Sequence, residues 1–232
     1  MRKLGLIGGM SWAATERYYS IINREIQRRV GPSCSAPLII DSLNFCELSR
    51  ISSDEQWAHA ATILTASAQT LEGGGATAIL ICANSMHKVA DVVQGAVSIP
   101  IISIVDPVGR AMKAAGVKTA AILGTRNVMG ESWYRKRLVG HGISLVPAEE
   151  EQVAAVDAII YDELMRGIIN RESERAMKTL LTKFDQNDVD AIALACTELS
   201  MIVDVDANVL PIYDSTTLHA LEGVAWILGD AP

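Results

Sequence analysis

The sequence predicts an α/β protein of two similar parallel-sheet lobes, related by a pseudo-twofold axis, with an active-site cleft between them. Three observations lead there. Short aliphatic runs alternate with helical stretches along the whole chain, the pattern of parallel strands joined by right-handed crossovers. Half of the 232 residues are hydrophobic but only 5% are aromatic, so the strands are runs of Ala, Val, Ile and Leu, as in sheets covered on both faces. The second half also repeats the first in order. Residues 77–85 align without gaps on 190–198, Gly8 stands to Ala83 nearly as Gly124 stands to Cys196, and an apolar-Pro-Ile step follows each (Pro100, Pro211). Such matched order marks an internal duplication.

The elements follow in turn. Residues 3–7 are apolar and stop at Gly8-Gly9; Ser11 then caps a helix to about Arg29, which Gly31-Pro32 ends. A second strand covers 38–40, and a helix over 54–72 runs into Gly73-Gly74-Gly75. The third strand is 77–81, followed by one helix over 85–94 and an extended piece at 99–102 with Pro at its edge. The second half reads as a strand at 119–123, a helix at 131–138 and a strand at 143–146. Helices at 149–166 and 172–184, a strand at 189–194, an extended step at 210–212 and a helix over 215–228 complete it. The lobes are expected at 1–100 with 210–232, and at 101–209.

A net charge of −7 argues against nucleic acid or an acidic membrane as partner. No apolar run has the length of a membrane span, and a cytoplasmic location is expected. The four cysteines (34, 46, 82 and 196) lack the close pairs of a zinc site, so they are expected as free thiols with no metal.

Ligands of open α/β sheets sit beyond the carboxyl ends of the strands. Gly8-Gly9, Ala83-Asn84-Ser85, Gly124-Thr125 and Cys196-Thr197-Glu198 all fall at such ends. Cys196 there is either a small buried hydrophobe or, as a thiolate, a base or nucleophile. Asn84, Ser85 and Thr197 are either ordinary helix caps or donors for a carboxylate at helix starts, and the two are compatible. The glycines near residue 8 lack the G-x-G-x-x-G spacing, so they read as a backbone approach to a small ligand. His87 and His219 read as structural hydrogen-bond partners, Cys34 and Cys46 as structural residues. Arg50 is either a carboxylate partner or a surface cation.

Leu4-Gly5-Leu6-Ile7-Gly8-Gly9-Met10-Ser11-Trp12, Cys82-Ala83-Asn84-Ser85-Met86-His87-Lys88-Val89-Ala90-Asp91 and Ala195-Cys196-Thr197-Glu198-Leu199 resemble three signatures of the aspartate/glutamate racemase family, in its broad amino-acid branch. Leu123-Gly124-Thr125-Arg126 and Tyr161-Asp162-Glu163-Leu164 also fit. The resemblance implies a racemase with no cofactor and no metal, acting on a small amino-acid or dicarboxylate substrate, with a homodimer expected. It implies two opposed cysteines, one removing the α-proton and the other returning one to the opposite face. This chain departs from that pattern. Cys196 fills one slot, while the other holds Ala83, with Cys82 one residue earlier. Adjacent strand residues face opposite ways, so Cys82 is expected to turn from the ligand, although it remains a candidate replacement. By family position, Met10, Ser11, Ser52, Asn84, Ser85, Thr125, Glu163, Leu164, Thr197 and Glu198 are candidates for substrate contact. The alternatives to a racemase are a single-cysteine decarboxylase or isomerase of small dicarboxylates, and a catalytically impaired amino-acid-binding protein.

Overall fold

A computed structural model describes residues 1–230. The chain forms two contact units, Met1–Ile104 with His219–Pro232, and Val105–Leu218. Each holds a sheet of four parallel strands.

In the first unit β1 (Leu4–Gly8), β2 (Leu38–Ser42), β3 (Ile79–Ile81) and β4 (Ile101–Ile102) lie in the order β2-β1-β3-β4. In the second, β5 (Thr119–Gly124), β6 (Ser144–Leu145), β7 (Ala191–Ala195) and β8 (Ile212–Asp214) lie in the order β6-β5-β7-β8. The two orders are one order, shifted by four strands. The duplication inferred from residues 77–85 and 190–198 is therefore a duplication of topology. Registers such as Ile7↔Ile81 and Gly124↔Ala195 bring the ends of the central strands together in each sheet. Because β8 pairs with β7, residues 210–214 travel with the second sheet, whereas the expected lobe break lay at 209/210.

Why these residues form these elements is clearest in the first unit. Ser11 caps α1 (Trp12–Val30), its hydroxyl accepting from the Ala14 amide at 3.2 Å. Tyr18, Ile22 and Ile26 share the buried face of that helix at helical spacing. They pack with Leu4, Leu6, Leu80 and Cys82 from the sheet and with Val224 and Ile227 of α9 (Ser215–Leu228). Ser53 and Gln56 form a reciprocal capping box at the start of α2 (Asp54–Gly73). Leu64, Ala68 and Leu71 of α2 cover the other face of the sheet against Ile7, Ile79, Ile81 and Ala83. Each strand thus alternates between two apolar layers, and each fully buried Leu or Ile contributes roughly 1.5–3 kcal/mol.

Several elements differ from the sequence reading. The helix expected over 85–94 is a 3-10 turn, Ser85–Val89, followed by α3 (Ala90–Gln94). The helix expected over 149–166 is α7 (Glu150–Ala158), then a π-helical turn at Ile159–Glu163 and a 3-10 turn at Leu164–Arg166. Two helices were not expected, α4 (Val105–Ala114) and α5 (Arg126–Met129). Pro107 and Gly109 hid α4. Proline is tolerated in a first turn, and a Cβ on Gly109 would collide with the His141 ring. That ring, at the end of α6 (Ser132–Gly140), hydrogen-bonds Asp106, and Arg137 grips the same carboxylate with two bonds of 2.7 Å. Burial pulls the Asp106 carboxyl up, but Arg137 and His141 outweigh it and hold it at about 2.

Both sequence-selected histidines lie buried in the first unit. The Tyr18 hydroxyl donates to His219 Nδ1 at 2.8 Å, and His219 Nε2 donates to the Ile102 carbonyl at 2.9 Å. His87 Nε2 donates to the Ile81 carbonyl at 3.2 Å, with its ring edge-on to His219 at 5.4 Å. Among the described residues no helix is long and apolar enough to cross a membrane.

Burial, then the neighbouring His87, pushes the His219 imidazole well below its ordinary range. The unfolded chain binds that proton first, so His219 favours folding above about pH 6.5 and the benefit is lost as pH falls below it. The urea unfolding midpoint should drop from pH 6.5 to 5, with up to about 1.4 kcal/mol lost per pH unit from this group. His219→Gln should be less stable at pH 7.5 but show a shallower slope across the same interval.

Candidate active site

The first unit ends β1 in a backbone loop that only glycine permits. Gly9 has φ +85°, and a Cβ there would overlap the Leu43 backbone. Its N–H donates to Thr15 Oγ1 at 2.8 Å, so the loop is tied to α1. Met10 beyond it is buried, and Ser11 is occupied as the α1 cap.

At the end of β3 the two-residue alternation decides which side chain points where. Cys82 is 0% exposed in the aliphatic layer under α1 and α9, its Sγ 3.9 Å from the Leu80 carbonyl. Burial pushes its thiol far up. Ala83 belongs to the opposite layer. Asn84 follows, 6% exposed, and neither its Oδ1 nor its Nδ2 has a hydrogen-bond partner among the described residues. A buried amide left in that state costs about 1–3 kcal/mol. Ser85 begins the 3-10 turn and is half-buried. Ser52 lies apart from these in its bonding: its amide and hydroxyl both meet Gln56 Oε1, which makes it part of the α2 start. Arg50 is exposed with φ +53°.

The second unit gathers more chemistry. β5 and β7 approach so closely at their ends that a Cβ on Gly124 would lie 2.7 Å from the Ala195 carbonyl oxygen. Thr125 follows Gly124, 6% exposed, with its Oγ1 unpartnered among the described residues. One strand over, Cys196 is 5% exposed and Glu198 is 9% exposed. The Cys196 thiol donates to Glu198 Oε2 at 3.2 Å. Burial pushes the thiol well up, and the Glu198 charge adds to this; backbone N–H groups of Glu198 and Leu199 act the other way and lose.

Glu163 and Leu164 come from the turn that the sequence reads as continuous helix. The 3-10 turn at Leu164–Arg166 packs against the one at Glu198–Met201, so these segments do converge. The Glu163 carboxylate accepts from Ser173 Oγ at 2.6 Å, with Ser173 buried at the start of α8 (Arg171–Asp185). π-helical turns recur at functional sites because they re-aim a side chain.

Sequence reasoning missed Thr216 and Ser173. Thr216, 0% exposed, hydrogen-bonds the Thr197 hydroxyl at 3.4 Å, and Ser215 Oγ donates to the Leu194 carbonyl at 2.9 Å. The pairing of β8 with β7 delivers both, and no local signal in the sequence carried it. Among the described residues no group of three or more His, Cys, Asp or Glu side chains could hold a metal ion.

Comparison with known proteins decides the family. The profile of the Asp/Glu/hydantoin racemases matches residues 7–222. The chain belongs to this family. This racemase, an isomerase, is 36% identical to a protein from Yersinia pestis assigned to the Asp/Glu racemases. Its crystal structure superposes with a TM-score of 0.90 over 98% of this chain and 100% of that one. An aspartate racemase homologue from Pyrococcus horikoshii OT3 is 30% identical, with a TM-score of 0.83 over 98% and 100% of the two chains. The broad specificity amino-acid racemase RacX of Bacillus subtilis (strain 168) is 27% identical over 158 residues, 68% of each chain.

The racemase has four thiols in distinct settings, and alkylation separates them. With iodoacetamide on the native protein at pH 8, peptide mass spectrometry should find exposed Cys46 modified first and Cys82 unmodified until denaturant is added. Prompt labelling of Cys82 would contradict its place in the aliphatic layer.

Proposed function

We propose that this racemase inverts the α-carbon of small amino acids without a cofactor. Cys196 serves one face, and a group other than a thiol serves the face assigned to Ala83. The observation that carries the reading is Cys196, a buried thiol at a strand terminus, hydrogen-bonded to a buried carboxylate, in a chain of this family. An α-proton beside a carboxylate is weakly acidic, so donors must stabilise the charge that develops there. Asn84 and Thr125, with polar atoms lacking partners among the described residues, and Ser85 and Thr197 at the starts of turns, are the assigned carboxylate donors. Met10, Ser11, Ser52, Glu163, Leu164 and Glu198 are assigned to the remaining contacts by family resemblance. The name of the Bacillus subtilis relative supports a broad range of amino acids as substrates.

Cys82 is assigned a packing role, because its sulfur is sealed among Leu4, Leu6 and Leu80. The missing first thiol leaves water or another side chain as the acid on the Ala83 face. The expected consequence is slow turnover, or a bias toward one enantiomer, since water is a far weaker acid than a thiol. A homodimer in the cytoplasm completes the reading. Ala83 also favours a second reading, in which one thiol protonates a carbanion formed by decarboxylation or isomerisation of a dicarboxylate.

Incubation in D2O with L- and D-aspartate, glutamate and neutral amino acids tests the first reading, with α-deuterium and optical rotation as readouts. Incorporation should occur for some amino acid and fall by a factor of 10² or more in Cys196→Ala. Ala83→Cys should raise racemisation about tenfold or make it symmetric between enantiomers. No α-deuterium in any substrate, with Cys196-dependent product from a malonate or maleate panel, would move the assignment to the second reading.

A further inference from the structure

We propose that Ser173 is a positioning residue of the site: its hydroxyl fixes the Glu163 carboxylate as the receptor of the substrate's α-ammonium group. This deepens the proposed function and rests on it for the assignment of Glu163 to substrate contact. Three observations carry it, all within the second unit. Ser173 Oγ donates to Glu163 Oε2 at 2.6 Å, and no other side chain bonds that carboxylate among the described residues. Ser173 is 6% exposed on the first turn of α8, whereas Glu163 is half-buried at the last residue of the π-helical turn. The 3-10 turn that begins at the next residue, Leu164, packs against Glu198–Met201, the turn that follows Cys196.

Apolar packing does not hold this stretch in place. Between Glu163 and Ser173 the chain turns through Gly167 at φ +73°, and Ile168 and Ile169 are 49% and 53% exposed. Hydrogen bonds tie it instead. The Ile168 N–H donates to the Glu163 carbonyl at 3.0 Å, the Asn170 side chain caps α8 by accepting from the Glu172 N–H at 3.0 Å, and Ser173 takes one oxygen of the carboxylate. A carboxylate has about four acceptor sites on its two oxygens. With Oε2 anchored, Oε1 is set in one direction and keeps its capacity for a charged donor. No Lys, Arg or His among the described residues pairs with Glu163, so its charge is not committed to a structural ion pair. A substrate ammonium is a donor of the matching kind, and a carboxylate already held still binds it with less loss of side-chain freedom.

Isothermal titration calorimetry with two matched pairs, L-aspartate against succinate and L-alanine against propionate, isolates the α-ammonium, the group by which each pair differs. In the wild type the amino acid of at least one pair should bind about tenfold more tightly than its partner. Ser173→Ala should weaken that amino acid about tenfold and shift its partner by less than about twofold. In the racemisation assay the same variant should raise KM about tenfold with kcat little changed, because the ammonium is held alike in ground and transition states. Glu163→Gln, which keeps an acceptor for Ser173 but carries no charge, should lose the same preference. Adding Ser173→Ala to it should weaken binding no further, as required of a residue that acts through Glu163. If Ser173→Ala does not fold, Glu163→Gln decides: a retained preference for the amino acid overturns the assignment. So does an equal loss of both members of a pair in Ser173→Ala, a further loss in the double variant, or no preference in the wild type. Absence of α-deuterium in the wild type would overturn the racemase reading instead, while the calorimetry still decides the role of Ser173.

Discussion

The chemistry of this protein rests on the two-residue period of a buried parallel strand. A strand covered on both faces sends successive side chains into two apolar layers, and its last residues are where that alternation meets the loops. At β3, Cys82 is spent on the layer beneath α1 and α9, and Ala83 faces the other way. At β7, Ala195 stands where Cys82 stands, and Cys196 where Ala83 does, one position on. A shift of one residue in either strand would exchange a packing thiol for a reactive position. The register is held by the Ile7↔Ile81 and Gly124↔Ala195 pairings.

Around those strand ends, unsatisfied polarity is concentrated in a few places. Most buried polar atoms here are paired: Asp214 caps α9 through Thr216 and Thr217, His219 bridges Tyr18 and Ile102, and Asp106 holds Arg137 and His141. Among the described residues the Asn84 amide and the Thr125 hydroxyl are exceptions at carboxyl ends of strands, and Ser67 and Tyr134 are exceptions elsewhere. Position separates the two kinds. Ser67 lies on α2 and Tyr134 on α6, away from the strand termini. The cost of leaving a buried amide unpaired is comparable to a sizeable part of a domain's net stability.

The two slots are unequal in kind. Cys196 has a carboxylate at 3.2 Å and neighbours such as Thr216, which bonds the Thr197 hydroxyl. Ala83 has a methyl group and an adjacent amide. One copy of the duplicated fold thus carries a thiol beside a buried carboxylate, the other a methyl group beside a buried amide. Divergence after duplication requires no change in topology for this, because both sheets retain one strand order.

Fold class, the duplication and the strand-end motifs were legible in the sequence, because they depend on local periodicity and on residue types that a linear chain displays. The opposite facing of Cys82 and Ala83 was legible for the same reason: it follows from strand geometry alone. Tertiary structure decided the rest. It broke the helix read over 149–166 into α7, a π-turn and a 3-10 turn, bringing the Glu163 segment beside Glu198. It formed α4 despite Pro107 and Gly109, since His141 occupies the space a side chain would need. It paired β8 with β7, which brought Thr216 to Thr197, and it placed the Glu198 carboxylate on the Cys196 sulfur. These are matters of distance between segments remote in sequence, or of a rotamer at a strand end. Periodicity and propensity carry no information about either.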